Sequence, residues 1–335
     1  MIDTIYVEKE IEEHPRTRSI LTRFKGRREI LVERYGEVFN KRSQNFRLQK
    51  RNPSLIIAKK HTGHILSTPQ GFGIGGAKNF YFSHMINCVY DCRYCFLQGM
   101  YASANYVLFI NYEDFISEIN NLIFKHPEDK LTFFSGYDCD SLALEPITGF
   151  ASFIVPSFKE YSSAEIEFRT KSTQIEFLLS IEPVSNCIIA YSLMPEIESR
   201  ALDHKTPSIE KRINAIKRLA AHGWKIGLRF DPLIYGQDWE KRYQELFDTL
   251  FSSIPRGSIH SISYGSLRFP KEMFKAVHKL YPEEKLLSTI FPGDMDTVGY
   301  KTEIEDQMTR FCKNAFSRIF SEDIVFKCTT EATAP

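Results

Sequence analysis

The sequence predicts an α/β protein whose main part is a partial (β/α)6 barrel, a TIM-like arrangement with six strand–helix units instead of eight. Three observations predict this fold. Segments with strand character alternate six times with segments of helical character, which favours a parallel sheet. The chain of 335 residues fits one large α/β domain with an appendage, or two small domains. Hydrophobic residues make up 43% of the chain, which is ample for a buried core.

Each unit is assigned from its local pattern. Strands are predicted at residues 79–84, 131–135, 165–169, 187–191, 224–230 and 259–263. Helices are predicted after them, at residues 93–100, 147–161, 173–179, 208–222, 238–250 and 271–280. Chemistry in such folds lies at the carboxyl ends of the strands, so functional residues are expected there.

The barrel is predicted to span residues 76–290, between a basic N-terminal segment at 1–75 and a C-terminal extension at 291–335. The net charge of +1 conceals a strongly basic stretch, because residues 16–60 contain 14 Lys and Arg against 3 Asp and Glu. Aromatic residues are interleaved with these charges, at Phe24, Tyr35, Phe39 and Phe46. This combination indicates nucleic-acid binding. The alternative is a solvated surface whose charges pair with acids elsewhere in the fold.

The composition also argues against a membrane protein or a secreted one. No apolar run approaches the roughly 20 residues needed to cross a bilayer. The first residues lack the basic and apolar regions of a signal peptide. Seven cysteines, an odd number dominated by one metal motif, suit a reducing compartment. We therefore expect a soluble, cytoplasmic protein with no membrane partner.

Three cysteines lie in one short loop after the first predicted barrel strand, at Cys88, Cys92 and Cys95. An iron–sulfur cubane takes one thiolate on each ligated iron, and three thiolates leave one iron open to an outside ligand. A zinc site would usually need a second Cys or His pair at close spacing, and the sequence has none. A disulfide framework would suit a short secreted chain. The spacing therefore predicts a [4Fe-4S] cluster.

The cysteine loop resembles the cluster motif of the spore photoproduct lyase family, radical S-adenosylmethionine (SAM) enzymes that repair DNA. Other stretches are also similar to that family, at residues 168–171, 191–193, 206–212, 228–235 and 264–270. The resemblance spans roughly residues 50 to 320. It implies a barrel of the radical SAM type, with a cluster on Cys88, Cys92 and Cys95 that binds and cleaves SAM. It also implies an electron donor such as a flavodoxin or a ferredoxin, and a carbon–carbon lyase that reverses a thymine-dimer photoproduct in DNA.

The resemblance assigns roles to residues at the strand ends. Ser141, Lys171 and Ser192 match family positions that hold the amino-acid part of SAM, for which an ammonium and hydroxyls are suitable partners. Tyr94 matches a tyrosine that assists radical transfer.

Cys139 matches the cysteine that gives a hydrogen atom to the product radical, because Cys139 opens a Cys-x-Ser triplet like that of the lyases. A gapless alignment places Tyr137 at that position instead. Two residues along an extended chain point the same way, about 6–7 Å apart, so Cys139 could still face the site. The alternative role for Cys139 is that of a buried packing residue.

The chain also departs from the family pattern. Phe96 replaces a second tyrosine, and an acidic stretch at 291–297 replaces a basic, aromatic hairpin. These departures leave open a paralogue that acts on another nucleotide, on RNA or on a peptide. A non-catalytic iron–sulfur or zinc-binding protein is the more distant alternative. Arg229, Asp231 and Arg268, near the last two strand ends, fit either substrate contact or a buried layer of ion pairs.

Overall fold

The computed structural model describes residues 2–41, 44–69, 72–292 and 297–328. Its strands in these ranges are β1 (Thr4–Glu8), β2 (Arg28–Val32), β3 (Leu55–Ala58), β4 (Leu66–Ser67), β5 (Lys78–Phe82), β6 (Met85–Ile86), β7 (Asp91–Cys92), β8 (Tyr106–Phe109), β9 (Leu131–Ser135), β10 (Ala164–Thr170), β11 (Cys187–Ser192), β12 (Asp203–His204), β13 (Lys225–Leu233), β14 (Ile259–Ser266), β15 (Arg268–Pro270), β16 (Phe291–Pro292), β17 (Thr297–Gly299) and β18 (Val325–Lys327). The α-helices are α1 (Pro15–Thr22), α2 (Phe46–Arg51), α3 (Leu97–Met100), α4 (Tyr112–Lys125), α5 (Glu145–Thr148), α6 (Phe150–Ile154), α7 (Glu176–Leu179), α8 (Glu196–Leu202), α9 (Ile209–His222), α10 (Trp239–Ser253), α11 (Lys271–Leu280) and α12 (Thr302–Ser317). Within these described ranges, every helix falls short of the length and apolar character that a bilayer span requires.

The central sheet confirms the predicted partial barrel. Its strand order is β18-β14-β13-β11-β10-β9-β5-β4. Strands β5, β9, β10, β11, β13 and β14 are neighbours in chain order and pair in parallel. Strand β18 adds a further parallel strand beside β14, and β4 pairs antiparallel with β5 at the other edge. The carboxyl ends of the six barrel strands therefore lie along one rim.

Some predicted helices are shorter or broken. The helix predicted at 147–161 is divided into α5, α6 and a 3-10 turn at Val155–Glu160. Gly149 interrupts it with a φ of 60°, in the left-handed region that glycine adopts without a steric penalty. The helix predicted from residue 93 begins only at Leu97, because the amide of Arg93 donates instead to the carbonyl of Leu202.

The N-terminal segment forms a second sheet that the sequence did not reveal. Its strand order is β2-β1-β3-β8-β6, with β2, β1, β3 and β8 parallel. All four residues of β3 are buried, and Ile5, Leu55 and Leu108 form part of a second core. Because β8 lies at 106–109, this sheet takes strands from both sides of the predicted boundary at residue 75. That boundary stays a prediction.

Six of the thirteen described Lys and Arg residues in the basic stretch form ion pairs with acidic residues. Ion pairs join Arg16 to Glu113, Arg18 to Glu13, Arg27 to Asp3, Arg34 to Glu10, Arg47 to Glu283 and Lys59 to Glu10. Arg42 lies outside the described residues. Partly exposed pairs of this kind typically contribute about 1 kcal/mol or less to stability. These six residues match the alternative of a surface whose charges pair with acids, and nucleic-acid binding by this stretch stays a prediction.

A buried ion pair joins two barrel strands. The Nη2 atom of Arg229 lies 2.6 Å from Oε2 of Glu167, and the two side chains are 1% and 0% exposed. Burial raises the pKa of Glu167, but the guanidiniums of Arg229 and Arg169 outweigh it and hold that pKa at about 2, against an ordinary 4.5. Of the two interpretations left open for Arg229, the buried layer of ion pairs is the one observed. Asp231 and Arg268 form a less buried pair at 3.0 Å.

We predict that Glu167→Gln lowers the free energy of unfolding by roughly 3–5 kcal/mol, because it leaves Arg229 charged and buried without its partner. The measurement is urea denaturation of the metal-free protein at neutral pH. In the wild type, the stabilising contribution of Glu167 should be complete above its ordinary pKa of 4.5 and should be lost as the pH falls towards 2.

The matched control is Glu176→Gln, which removes the carboxylate of an exposed pair with Arg218. That change should shift stability by no more than about 0.5 kcal/mol. Equal small losses in both variants would contradict a special role for the buried pair.

Candidate active site

A cavity opens where the cysteine loop meets the carboxyl ends of β9, β10 and β11. It is open to solvent, and the space inside it that water-sized molecules can occupy is about 140 Å³. Six of the eight site residues predicted from the sequence line it, namely Cys88, Cys92, Cys95, Cys139, Lys171 and Ser192. Tyr94 and Ser141 are not among the lining residues.

Hydrogen bonds from a side chain and from a short strand pair hold the cysteine loop in place. Asn87 precedes the first cysteine with a φ of 69°, a conformation that asparagine tolerates better than most residues. Its side-chain amide donates to the carbonyls of Ser103 and Asn105 at 2.8 Å each. Further along, β7 pairs antiparallel with β12, which sets Cys92 opposite Asp203. The loop is therefore anchored at its start and near its middle.

Two more side chains bind the loop carbonyls. The Nζ atom of Lys50 donates to the carbonyl of Cys88 at 2.7 Å, and the amide of Gln98 donates to the carbonyl of Cys92 at 3.2 Å. Lys50 comes from α2 in the basic N-terminal segment, far from the loop in sequence. Lys50 was not predicted as a site residue, because nothing in the sequence around it indicates burial beside the cysteines.

The electrostatic setting of the thiols combines burial with nearby cations. Burial raises the pKa of Cys88 to about 12 and raises those of Cys92 and Cys95. The positive charges of Lys50 and Lys171 act in the opposite direction. A metal ligand must be a thiolate, so these two lysines supply the compensation that three ligating thiolates would need.

The thiols are not arranged around a single ion. In the part of the chain that the structure describes, no three His, Cys, Asp or Glu side chains come close enough to share one metal ion. A cubane places each thiolate on a different iron and does not require the sulfurs to converge on one point. The donor set therefore fits a cluster.

A buried network of hydrogen bonds and ion pairs around Asp203 stabilises the cysteine loop. The hydroxyl of Tyr94 donates to Oδ1 of Asp203, and Nη1 of Arg212 lies 2.8 Å from Oδ2, with both charged side chains fully buried. Arg212 also donates to the carbonyl of Ser192 at 3.1 Å, and Nζ of Lys171 lies 3.8 Å from Oδ1. Tyr94 is thus fixed behind the cysteines by Asp203, a residue that the sequence analysis did not select.

The loop after β9 is held by a buried carboxylate. Asp140 lines the cavity and accepts hydrogen bonds at 2.7 Å from the hydroxyl of Thr170 and from the amide of Lys171. Ser141 is 1% exposed and its hydroxyl donates to the carbonyl of Ser135. Gly136 has a φ of 80°, and a Cβ there would lie 2.4 Å from Oγ of Ser141. This close approach requires glycine at position 136. Asp140 was not predicted from the sequence as part of the site.

The two candidates for hydrogen donation both line the cavity. Cys139 is 9% exposed and also packs in the second core, and burial raises the pKa of its thiol well above the ordinary value. The thiol therefore keeps its S–H bond. The Tyr137 ring lies 4.3 Å from the Tyr81 ring and 5.5 Å from the Phe96 ring, measured between centroids.

The chain is similar to proteins of one known family along most of its length. The family model described as spore photoproduct lyase matches residues 2–290. The spore photoproduct lyase of Bacillus subtilis is 23% identical over 202 residues, 59% of each chain. That of Clostridium acetobutylicum is 23% identical over 209 residues, 62% of each chain. The matches thus span about three fifths of the length of these curated relatives.

Solved structures of spore photoproduct lyases share the fold. One, a mutant with bound AdoMet and dinucleoside spore photoproduct, superposes with a TM-score of 0.85 at 16% identity, covering 98% of both chains. Another, complexed with the dinucleoside spore photoproduct, gives 0.82 with the same identity and coverage. With the family model matching most of its length, this chain belongs to the spore photoproduct lyase family.

Proposed function

We propose that this chain is a radical SAM enzyme, a carbon–carbon lyase that repairs a thymine-dimer photoproduct in DNA by direct reversal. The observation that carries the proposal is the position of Cys88, Cys92 and Cys95 on one open cavity at the carboxyl rim of the barrel. Membership of the lyase family supports the same reaction. Solved relatives bind AdoMet and the dinucleoside photoproduct, which supports a DNA lesion as the substrate.

The residues present suit the proposed cofactors. Cys88, Cys92 and Cys95 would ligate the cluster, while Lys171 and Ser192 would hold the carboxylate and the polar edge of SAM. Ser141 would support this site from behind Gly136. When bound, a reduced [4Fe-4S] cluster supplies the electron that cleaves SAM into a radical able to take hydrogen from the lesion.

The protein would then control what happens to the substrate. The cavity walls would orient the lesion, which must leave the duplex stack at a cost of a few kcal/mol. Cys139 lines the cavity, and its Sγ–H bond would give a hydrogen atom to the substrate radical, with Tyr94 as a further redox-active side chain next to the loop. Phe96 lacks a phenol and cannot take part in such a transfer.

The partners and setting follow from this chemistry. The reaction needs a one-electron donor, for which we propose a flavodoxin or a ferredoxin, and a compartment that keeps the ligand cysteines reduced, for which we propose the cytoplasm. We retain 1–75, 76–290 and 291–335 as the proposed division of the chain. Part of the acidic stretch at 291–297 lies outside the described residues.

Cluster assembly should depend on three cysteines only. After anaerobic reconstitution, Cys88→Ala, Cys92→Ala and Cys95→Ala should each lose most of the roughly four irons per chain that the wild type binds. The measurements are iron content and charge-transfer absorbance. Cys187→Ala is the control, because Cys187 is buried in the barrel core, and it should keep the full content. A full cluster in Cys92→Ala would disprove the ligand assignment.

The reaction is tested with a defined substrate. Reconstituted protein with dithionite and SAM should convert an oligonucleotide carrying one spore photoproduct to its two thymines and should leave an undamaged oligonucleotide unchanged. Products and 5′-deoxyadenosine are measured by chromatography. Formation of 5′-deoxyadenosine without repair would favour another nucleotide, RNA or a peptide as the substrate. The absence of both would favour a non-catalytic iron–sulfur protein.

Cys139→Ala should leave SAM cleavage intact but spoil product formation, because the donor acts after hydrogen is taken from the substrate. We expect more SAM consumed per repaired lesion and by-products from radical trapping, both counted in the same assay. Cys187→Ala should behave as the wild type. If Cys139→Ala keeps both yield and ratio, Cys139 is a packing residue, and Tyr137→Phe should show the defect instead.

A further inference from the structure

A second cleft lies on the other face of the cysteine loop. Its walls carry five basic residues, Arg47, Lys50, Arg51, Arg93 and Lys205, with Asp91 and Tyr281 beside them. We call this the basic cleft. The loop divides it from the cavity, because the three cysteines line the cavity whereas the intervening Asp91 and Arg93 line the cleft.

The cleft is bonded directly to the backbone of the cluster ligands. Lys50 lines both spaces, and its ammonium donates to the carbonyl of Cys88 at 2.7 Å. The hydroxyl of Tyr281 donates to Gln98 at 3.1 Å, and Gln98 donates to the carbonyl of Cys92 at 3.2 Å. A molecule in the cleft would therefore lie one or two side chains from two of the three cysteines.

The cleft is also strongly positive. Its five cations face two carboxylates, Asp91 at 3.5 Å from Arg93 and Glu283 at 2.7 Å from Arg47, which leaves a net charge of +3. The Tyr281 ring lies between two guanidiniums, 4.1 Å from that of Arg93 and 5.1 Å from that of Arg47. These contacts hold two of the cations in place. Arg51 and Lys205 are exposed residues, and the ammonium of Lys205 donates to the carbonyl of Lys50 at 3.1 Å.

We propose that the basic cleft is the docking site of the electron donor, an acidic one-electron carrier of the flavodoxin or ferredoxin class. This inference rests on the proposed function, because it requires a cluster on the cysteine loop. One electron leaves the reduced centre of the carrier and enters the cluster, so the carrier is oxidised by one electron as the cluster is reduced by one. No bond forms or breaks in this step.

The position of the cleft favours a carrier over nucleic acid. A carrier docked there approaches the cluster from behind the loop, so that SAM and the lesion occupy the cavity at the same time. DNA lying in the cleft would have the cysteine loop between it and the cavity. Complementary charge between an acidic carrier and this surface would speed their encounter and fix their orientation.

The test is the double variant Arg51→Glu/Lys205→Glu, which changes the net charge of the cleft from +3 to −1, with the single variant Arg51→Glu as a milder form. The probe is a purified flavodoxin. Binding of its oxidised form is measured by calorimetry at low salt, and SAM cleavage is driven by its photoreduced form. We expect affinity to fall about tenfold or more and flavodoxin-driven cleavage to fall with it. Cleavage driven by dithionite should be unchanged.

The control is Arg23→Glu/Lys25→Glu, which makes the same charge change at exposed residues of the same basic stretch, outside the cleft. It should bind flavodoxin as the wild type does. Equal effects of both double variants, or no effect of either, would overturn the proposal. So would loss of affinity for photoproduct-containing duplex DNA with flavodoxin binding unchanged, because the cleft would then bind phosphates.

The two proposals can fail separately. If the wild type cannot cleave SAM with dithionite, the proposed function is contradicted. The calorimetric arm does not depend on turnover and still decides whether the cleft binds the carrier.

Discussion

The buried pair of Asp203 and Arg212 is the interaction on which the geometry of the site depends. Both side chains are fully buried, so each charge requires the other, and removing one would leave an isolated charge in the interior. The same carboxylate accepts from Tyr94, and its strand pairs with that of Cys92. Arg212 in turn binds the end of β11 at Ser192. One ion pair therefore links the cysteine loop to the rim of the barrel.

The cavity is lined by the cysteine loop and the barrel rim, and also by Lys50 from the N-terminal segment. The N-terminal sheet supplies a core of its own, and Cys139 packs into that core while also lining the cavity. Lys50, from the helix before β3, reaches the loop from the same side. The basic segment therefore contributes to the site through Lys50, while six of the thirteen described cations at 16–60 form ion pairs with acids.

The sequence predicted those features of the fold and site that depend on residues close to one another in the chain. The six barrel strands and their parallel order follow from local periodicity, and the cysteine spacing lies within one loop. The N-terminal sheet was not predicted. Its strand β3 (Leu55–Ala58) is only four residues long and stands among basic residues, and all four of its side chains are buried. Asp203 was missed because its partner strand at Asp91–Cys92 is more than a hundred residues away and only two residues long. Long-range contacts of this kind leave no periodic signal in a single sequence.

Lys50 reaches the thiols from helix α2 and Lys171 from the end of β10, and this arrangement has a consequence for maturation. Each lysine offsets part of the cost of placing negative sulfur in a buried loop, and neither lies beside the cysteines until its own part of the fold has formed. The affinity of these thiols for iron would thereby be coupled to completion of both parts of the fold. A chain with one part still unfolded would lack part of the compensating charge. Loading of the metal would then be a late event that marks a correctly assembled protein.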